Sequence, residues 1–172
     1  MSKSQSRRRA RRLAIAAGTG AGTALALAAP AAAQDFTVTT LGPDGGPGTL
    51  RAQVAESEST PGADRILFQS GLTGTIPLTE GAITVYDDLQ IIGPGSAAIR
   101  IDGTDNEDRL FALGDSGDTN TVGIGGLTLQ NSAQVYGGAI VSGNTDLTVQ
   151  DSVLTGNLAQ AGGATTELMA GH

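Results

Sequence analysis

The sequence has no cysteine and no tryptophan, and its single histidine is the last residue, His172. Without cysteine the chain has no disulfide bonds, so its stability must come from backbone hydrogen bonding and core packing. With one histidine, at the terminus, the sequence offers no Ser-His-Asp arrangement, and it shows no metal-ligand or phosphate-loop motif. We therefore predict a protein without cofactors.

Positive charge is scarce beyond residue 33. That part of the chain holds four arginines and no lysine against all 17 acidic residues, which gives a net charge of −13. Nucleic-acid binding depends on clustered basic side chains that displace counterions, so a surface this acidic argues against it. The same charge disfavours adsorption to an anionic membrane, and no stretch in this part is long and apolar enough to span a bilayer.

The other six basic residues are concentrated in residues 1–33, a segment with no acidic residue. An apolar run rich in small residues follows the basic cluster and ends in three alanines, of which Ala33 is the last. This order is typical of a secretory signal peptide. We predict cleavage after Ala33 and an exported protein, extracellular or at the cell surface (cell envelope or outer membrane). The pair Arg11-Arg12 leaves the general secretory and twin-arginine routes both open.

Apolar residues alternate with polar ones in short bursts through the mature chain, and Gly, Asp, Asn and Pro fill the gaps. This spacing predicts β-strands separated by turns. A β-sandwich has similar strands, but it has no reason to repeat side-chain identity at a fixed period. The alternating pairs are Phe36/Val38, Ile66/Phe68, Ile76/Leu78, Ile83/Val85, Leu89/Ile91, Ile99/Ile101, Leu127/Leu129 and Leu147/Val149.

Side-chain identity does repeat. Residues 127–132 read LTLQNS and residues 147–152 read LTVQDS, while Gly137-Gly138 returns as Gly162-Gly163. Intervals of 20 and 25 residues match one coil of a solenoid, in which equivalent residues stack about 4.8 Å apart along parallel sheets. The predicted repeat positions are Leu89, Ile91, Leu127, Leu129, Asn131, Gly137, Gly138, Leu147, Val149, Asp151, Gly162 and Gly163.

The repeat also predicts which residues stack. Leu127 should lie against Leu147, and Asn131 against Asp151 at the following turn, if the 20-residue interval is one coil. Leu129 and Val149 are then expected to be buried. The alternating residues Thr128, Gln130, Thr148 and Gln150 are expected to face away from the core.

One segment of the mature chain favours a helix. Residues 49–58 read TLRAQVAESE, with Thr49 as a plausible N-cap and Leu50 and Val54 on one face. The terminal coil of a solenoid exposes a cross-section of its core and needs a cap. We predict that this helix covers the N-terminal end.

Several stretches of the chain resemble those of a known group of proteins. FTVTTLGPDGGPGTLRAQVAESESTPGADRILF and LTGTIPLTEGAITVYDDLQIIGPGSAAIRIDG resemble the opening of bacterial right-handed parallel β-helix surface proteins, where a GSLR-A helix and a GAD-I-F strand precede an L-I-GPG coil. GLTLQNS, GGAI and LTVQDSVLTGNLAQAGGA are similar to polymorphic outer membrane protein repeats, with VLTGN in place of the F-x-x-N element. The resemblance implies a pectin lyase-like right-handed parallel β-helix with an adhesin-like or structural role and an unknown polysaccharide or protein ligand.

The expected organisation is a signal peptide at 1–33, an all-β parallel β-helix domain at 34–165 and a non-repeat tail at 166–172. Within the domain, residues 34–82 are expected to form the cap and first strands, and 83–165 the coils. The final stretch, AGGATTELMAGH, supplies no apolar helix as a lower cap. We therefore expect a short solenoid, incomplete at its C-terminus as in a truncated product or fragment, that self-associates through its open coil.

The acidic stretch from Asp102 to Asp108 is the candidate metal site. Asp102, Asp105 and Asp108 could supply oxygen ligands to calcium. The EF-hand pattern fails, because Glu107 stands where glycine is required. Solvated turn residues are the simpler interpretation of this charge run and of the later GDSGDTN stretch.

The alternative function is a carbohydrate-active β-helix enzyme, a polysaccharide lyase or hydrolase whose catalytic coils are missing or unrecognised. Hydrolysis needs two carboxylates across the sugar bond, and Asp87, Asp88 and Asp146 directly precede predicted strands. A lyase needs a base, and Arg100 is expected to point outward beside Asp102. A surface ion pair explains that arrangement more simply, so we predict no catalytic residue.

The glycine-rich stretch Gly123-Ile-Gly125-Gly126 could suggest a nucleotide-binding loop. A dinucleotide loop opens a helix within a βαβ unit, and no helix pattern follows here. We predict instead that this stretch is a bend between two strands.

Overall fold

The computed structural model describes residues 32–106, 108–114, 119–161 and 165–167, with backbone only at 161 and 165–167. The described part contains one helix, α1 (Leu50–Ser57), and fifteen strands. The strands are β1 (Asp35–Val38), β2 (Asp64–Phe68), β3 (Gly74–Pro77), β4 (Ile83–Val85), β5 (Leu89–Ile92), β6 (Ile99–Asp102), β7 (Phe111–Leu113), β8 (Asn120–Gly125), β9 (Thr128–Gln130), β10 (Ala133–Tyr136), β11 (Ile140–Ser142), β12 (Thr145–Gln150), β13 (Val153–Thr155), β14 (Leu158–Ala161) and β15 (Thr165–Glu167).

These strands form parallel sheets whose neighbours are distant along the chain. Sheet A has the order β1-β2-β5-β8-β12, sheet B has β3-β6-β9-β13, and sheet C has β4-β7-β11-β15. Strands β10 and β14 form a further pair. Since consecutive strands enter different sheets, the chain winds around one core. The predicted all-β parallel solenoid with a small capping helix is confirmed.

The described coils number about four: β2–β4, β5–β7, β8–β11 and β12–β15. Coiling begins at Asp64, ahead of the expected boundary at residue 83. Strand β15 runs to Glu167, across the expected boundary at residue 165. The predicted signal peptide and the predicted tail lie almost wholly outside the described residues.

The stacking predicted from the 20-residue interval is wrong. Leu147 pairs with Val122 of sheet A, whereas Leu129 pairs with Leu154 of sheet B, so each true interval is 25 residues. The two similar phrases therefore lie on different sheets. A stack requires only an apolar residue pointing inward at every second position, so matched identity does not fix the register.

Turn residues follow the same corrected register. Asn131 and Asp151 both have positive φ, 59° and 51°, as turn positions after a strand, but they do not stack on each other. The Asn131 N–H donates to the Thr155 carbonyl, while the Gly126 N–H donates to the Gln150 carbonyl just before Asp151. Asn131 thus belongs to the sheet B corner and Asp151 to the sheet A corner.

The 25-residue interval of the glycine pairs is the length of the last described coil. Ile140, two residues beyond Gly138, pairs with Thr165. Gly137 has φ of 59°, the left-handed conformation expected of glycine at a corner. Gly162 and Gly163 lie outside the described residues.

Inward-facing apolar side chains fill the solenoid. Leu89, Ile91, Leu127 and Leu129 are at most 2% exposed, as predicted. Thr128 shares an outward-facing column with the exposed Arg100, as predicted, yet it is buried, and its hydroxyl donates to the Ser96 carbonyl at 2.8 Å. The largest buried side chains are Phe111, Leu50, Ile66, Ile76, Leu78, Ile83, Leu89, Ile91, Ile99, Ile101, Leu110 and Leu113.

Helix α1 caps the N-terminal end as predicted. The Thr49 hydroxyl accepts a hydrogen bond from the Ala52 N–H at 3.4 Å and so serves as the N-cap. Leu50 and Val54 are 0% and 1% exposed, and the helix packs against β1 and β2. This contact covers the cross-section of the first coil.

The last described coil is less well covered. Val149, expected to be buried, is 37% exposed, and that prediction is wrong. Leu147 and Leu154 are half-buried although both pair with fully buried residues of the coil above. Among the described residues no strand stacks below β12 or β13.

Candidate binding groove

The outer face of sheet A carries a groove of about 410 Å³ between β5 and β12. Strand β8 forms its floor. The residues that shape it are Gln90 and Ile92 on β5, Gly123 and Gly125 on β8, and Thr148 and Gln150 on β12.

The register explains why a groove forms here. Gln90, Gly123 and Thr148 share one outward column, and Ile92, Gly125 and Gln150 share the next. Outward side chains alternate with inward ones along a strand, so two glycines in consecutive outward positions leave the middle strand bare. The flanking strands keep their side chains and form the walls.

The glycines are required by the side chains above them. A Cβ atom on Gly123 would collide with the Gln90 amide oxygen, and one on Gly125 would lie 3.3 Å from Gln150 Cγ. The two glutamines thus lean over the floor from opposite walls. The bend predicted at residues 123–126 is confirmed at Gly126, which has φ of 66° between β8 and β9, but is wrong for Gly123 and Gly125, which lie inside β8. Alternation of these glycines with the buried Val122 and Ile124 was the signal for a strand.

Three polar side chains of the groove have no hydrogen-bond partner among the described residues. Gln90, Thr148 and Gln150 make no side-chain hydrogen bond to any described residue. Glutamines elsewhere differ: Gln130 donates to Asp102 at 2.7 Å and Gln134 donates to Asp108 at 3.0 Å. The groove therefore presents unused amide and hydroxyl groups on a rigid sheet.

The groove is lined by neutral groups except at one end. Asp151 is its one charged lining residue. Ile92 is 45% exposed and adds an apolar patch to the wall of β5. Such a lining can donate and accept hydrogen bonds and can pack against a small apolar surface.

The carboxylates considered for hydrolysis lie beside this groove. Asp88 and Asp146 flank Thr121 in one column of sheet A, two strand spacings or roughly 9.6 Å apart along the stack. The Asp88 carboxylate accepts a hydrogen bond from the Thr121 N–H at 2.7 Å, a structural role. Asp87 lies at the same turn, where its carbonyl accepts from Asn120.

The acidic stretch is occupied by protein donors. The Asp102 carboxylate accepts hydrogen bonds from Thr104, Gln130 and Asn131. Burial raises the pKa of Asp102, but these hydrogen bonds outweigh it and lower the pKa overall. The predicted ion pair of Arg100 with Asp102 is not formed between these described residues.

The three calcium candidates are not assembled into one site. Asp108 accepts hydrogen bonds from Ala82, Arg109 and Gln134, and Asp105 is an exposed turn residue. Burial raises the pKa of Asp108, and the hydrogen bonds to its carboxylate lower it by more. The described residues contain no group of three or more His, Cys, Asp or Glu that could hold a metal. Glu107 lies outside the described residues.

A second polar cluster, which the sequence pattern did not reveal, holds the cap. Arg51 pairs with Asp44 through two hydrogen bonds of 2.8 and 2.9 Å, and its guanidinium also donates to the Gly81 and Ala82 carbonyls. The Asp44 carboxylate accepts from the Thr79 N–H as well. This cluster ties the cap to the loop before β4, so its role is structural.

Comparison with models of protein families, with curated proteins and with solved structures found no match to this chain. The described residues contain no helix long and apolar enough to cross a membrane.

Proposed function

We propose that this chain is an exported, non-catalytic β-solenoid that acts at the bacterial cell surface as an adhesin-like binding module. The segment 1–33 supports export, because its basic start, apolar run and A-x-A end match a signal peptide. The resemblance of its stretches to polymorphic outer membrane protein-type repeats supports a surface role. The ligand is a surface polysaccharide or protein.

The observation that carries the proposal is the groove on sheet A. Its amide and hydroxyl groups have no described protein partner, and they stand on strands of one sheet, of which β5 and β8 are hydrogen-bonded on both sides and β12 on the side of β8. Groups fixed in this way lose little conformational entropy when a ligand binds. A rigid face with unused hydrogen-bonding groups suits binding.

The charge around the groove favours binding over catalysis. A lyase needs a base beside the substrate, and no arginine or lysine is among the described lining residues. Asp151 is the carboxylate among the described lining residues, and Asp88 and Asp146, which lie beside the groove, are exposed; Asp88 already accepts a hydrogen bond from a backbone N–H. A carbohydrate-active β-helix enzyme remains the alternative that the experiment below must separate.

Export is tested by expressing the full chain and fractionating the cells. We expect the protein at the surface or in the medium with Gln34 as its first residue. A variant with Arg11-Arg12 changed to Lys-Lys separates the routes, because the twin-arginine pathway needs the arginine pair. Recovery of exported protein with Met1 or Ser2 intact would show that the leader is not cleaved.

Binding and catalysis are tested together on the mature chain. Cells displaying residues 34–172 are applied to surfaces coated with polysaccharides or with host proteins, and the released sugar is assayed for reducing and unsaturated ends. Adherence above that of cells without the chain, with no release, is the expected result. Steady release of sugar ends would favour the enzyme instead.

A further inference from the structure

The groove on sheet A has a chemistry that selects among ligand classes. The four side chains that form its walls mark the corners of a rectangle, with Gln90 and Ile92 on β5 and Thr148 and Gln150 on β12. The sides measure roughly 9.6 Å across the strands and roughly 6.7 Å along them, from ordinary sheet spacings. The two amides stand at diagonally opposite corners, and the floor between them is glycine backbone.

We infer that this groove binds an uncharged glycan chain, with the amides of Gln90 and Gln150 on its hydroxyl groups and Ile92 beneath the C–H face of a sugar ring. The inference rests on the proposed function, since it names the ligand of the same groove. A primary amide offers both a donor and an acceptor, which matches a hydroxyl that also does both.

The negative charge of the chain disfavours anionic ligands. The mature chain carries four arginines against 17 acidic residues, and the charged residue that lines the groove is Asp151. A negative potential over the face lowers the local concentration of uronates, sulfates and phosphates. An uncharged chain meets no such barrier.

Geometry disfavours a peptide. Extended peptides bind to sheets by adding a strand at an edge, where unpaired backbone groups supply the hydrogen bonds. Strand β8, the floor of the groove, pairs with β5 and β12 on its two sides, so strand addition to the described part of sheet A on this side is open at the edge of β12 and not within the groove. A peptide laid across this face would find side-chain amides only, and its own backbone groups would remain largely unpaired.

The exposed apolar patch fits a sugar ring. Ile92 is 45% exposed at one corner of the groove, and Pro94 continues the same wall. Sugar rings carry C–H groups on one face and hydroxyls at the rim, so one apolar corner beside three polar ones matches their two surfaces. The side chains of Gln90 and Gln150 lie over Gly123 and Gly125, so these exposed amides must turn toward the ligand before a ring can approach the glycine backbone.

The test measures binding of soluble oligosaccharides to the mature chain by calorimetry. Cellohexaose and mannohexaose are the uncharged probes, hexagalacturonate is the anionic probe, and an acidic peptide represents protein ligands. We expect at least one uncharged probe to bind and hexagalacturonate to bind at least tenfold more weakly at low salt. Equal or tighter binding of hexagalacturonate or the peptide would overturn the inference.

Variants locate the site. Gln90→Ala combined with Gln150→Ala is expected to weaken the uncharged probe at least tenfold, and Ile92→Ser at least threefold. Gln160→Ala is the matched control, because Gln160 is an exposed glutamine on β14, outside the groove. All these positions are exposed, so unchanged melting temperatures are expected. Full binding by the double variant would overturn the assignment of the groove.

The two proposals fail in different ways. If displaying cells adhere to protein-coated surfaces but neither uncharged probe binds, the adhesin-like function stands and the glycan inference is wrong. If an uncharged probe binds and is cleaved, the ligand class stands and the non-catalytic function is wrong. Failure of both adherence and binding would overturn both.

Discussion

The two ends of the solenoid repeat the same alternation of residues and reach different degrees of burial. At the N-terminal end, Leu50 of α1 is 0% exposed and Val38 of β1 is 0% exposed. At the other end of the described coils, Val149 is 37% exposed although it pairs with Ile124, which is 1% exposed. The alternation within one strand thus determines whether a side chain points inward. Burial of that side chain also requires a neighbouring element on both sides of the strand.

The polar groups at the two ends differ in the same way. The cap end is fixed by Asp44 and Arg51, whose side chains are 1% and 18% exposed and which bond to the loop before β4. The last described coil is joined to the coil above by Asn157, which contacts Ser132 and the Leu129 carbonyl. Within the described residues, these bonds connect the turn after β13 to the preceding coil alone. The two ends are therefore expected to contribute differently to the stability of the fold.

The largest effect is expected from a charge placed in the middle of the stack. Leu129→Asp buries an unpaired carboxylate between Ile101 and Leu154 and should cost about 4 kcal/mol or more. Val149→Asp, at the open end, should cost about 1 kcal/mol, since its side chain already meets water. Urea denaturation of both variants provides the measurement. Equal losses would show that the two positions are equally covered.

The next effect concerns the apolar contact of the cap. Leu50→Ala should cost about 3 kcal/mol, because it opens a cavity under α1. Leu154→Ala removes the same atoms from a half-buried site and should cost about 1 kcal/mol. Thermal unfolding followed by circular dichroism compares the two. A larger loss of stability for Leu154→Ala than for Leu50→Ala would show that Leu154 is the better packed of the two side chains.

The cap can also be weakened through its ion pair. Arg51→Ala leaves the Asp44 carboxylate buried with backbone donors alone and should cost about 2 kcal/mol. Arg65→Ala removes the Asp35 pair, which is about half exposed on both sides and should contribute little. The stability difference between these two arginine variants is the measured quantity. Similar losses would mean that burial does not distinguish the pairs.

The same cluster predicts a pH dependence. Burial raises the pKa of Asp44, but hydrogen bonds from Arg51 and from the Thr79 and Glu80 N–H groups, together with the Arg51 charge, lower it overall. A folded-state pKa below the ordinary value of 3.8 stabilises the protein above that pH. That contribution is lost as the pH falls through the folded-state pKa. Asp44→Asn should therefore be less stable than the natural chain at pH 7, and the difference should shrink below about pH 4.

Much of the fold was accessible from the sequence, because alternation and capping are local signals. All eight apolar pairs lie in or next to strands, and the helix predicted at 49–58 is α1 at Leu50–Ser57. The strands that carry none of these pairs are short, with three or four residues each, except for the six-residue β8: they are β7, β8, β10, β11, β13, β14 and β15. Their order depends on ladder hydrogen bonds to the coil above, which a single sequence does not display.

The groove and the cap cluster required the register. Because glycine is common in turns, the sequence predicts a bend at Gly123 and Gly125. The structure shows instead that the side chains of Gln90 and Gln150 lie over these glycines. Asp44 lies before the helix that carries Arg51, so their separation of seven residues is not a contact along one helix face, and their other partners lie at residues 79–82. Contacts between coils of unequal length cannot be counted from sequence intervals alone.

The smallest change in free energy is expected at the edge formed by β12 and β13. There we expect local unfolding and association between chains. Among the described residues β12 and β13 pair on one side only, and Val153 and Leu158 are 46% and 68% exposed. Unpaired strand edges with apolar neighbours open readily and pair with other chains. We therefore expect slow hydrogen exchange over Leu89–Ile101, fast exchange beyond Asp146, and concentration-dependent self-association of the mature chain. Sedimentation of Val149→Lys with Val153→Lys provides the control, since two charges at the edge should suppress association without changing exchange at Leu89. A monodisperse monomer with uniform protection through Leu154 would show that the edge is already covered.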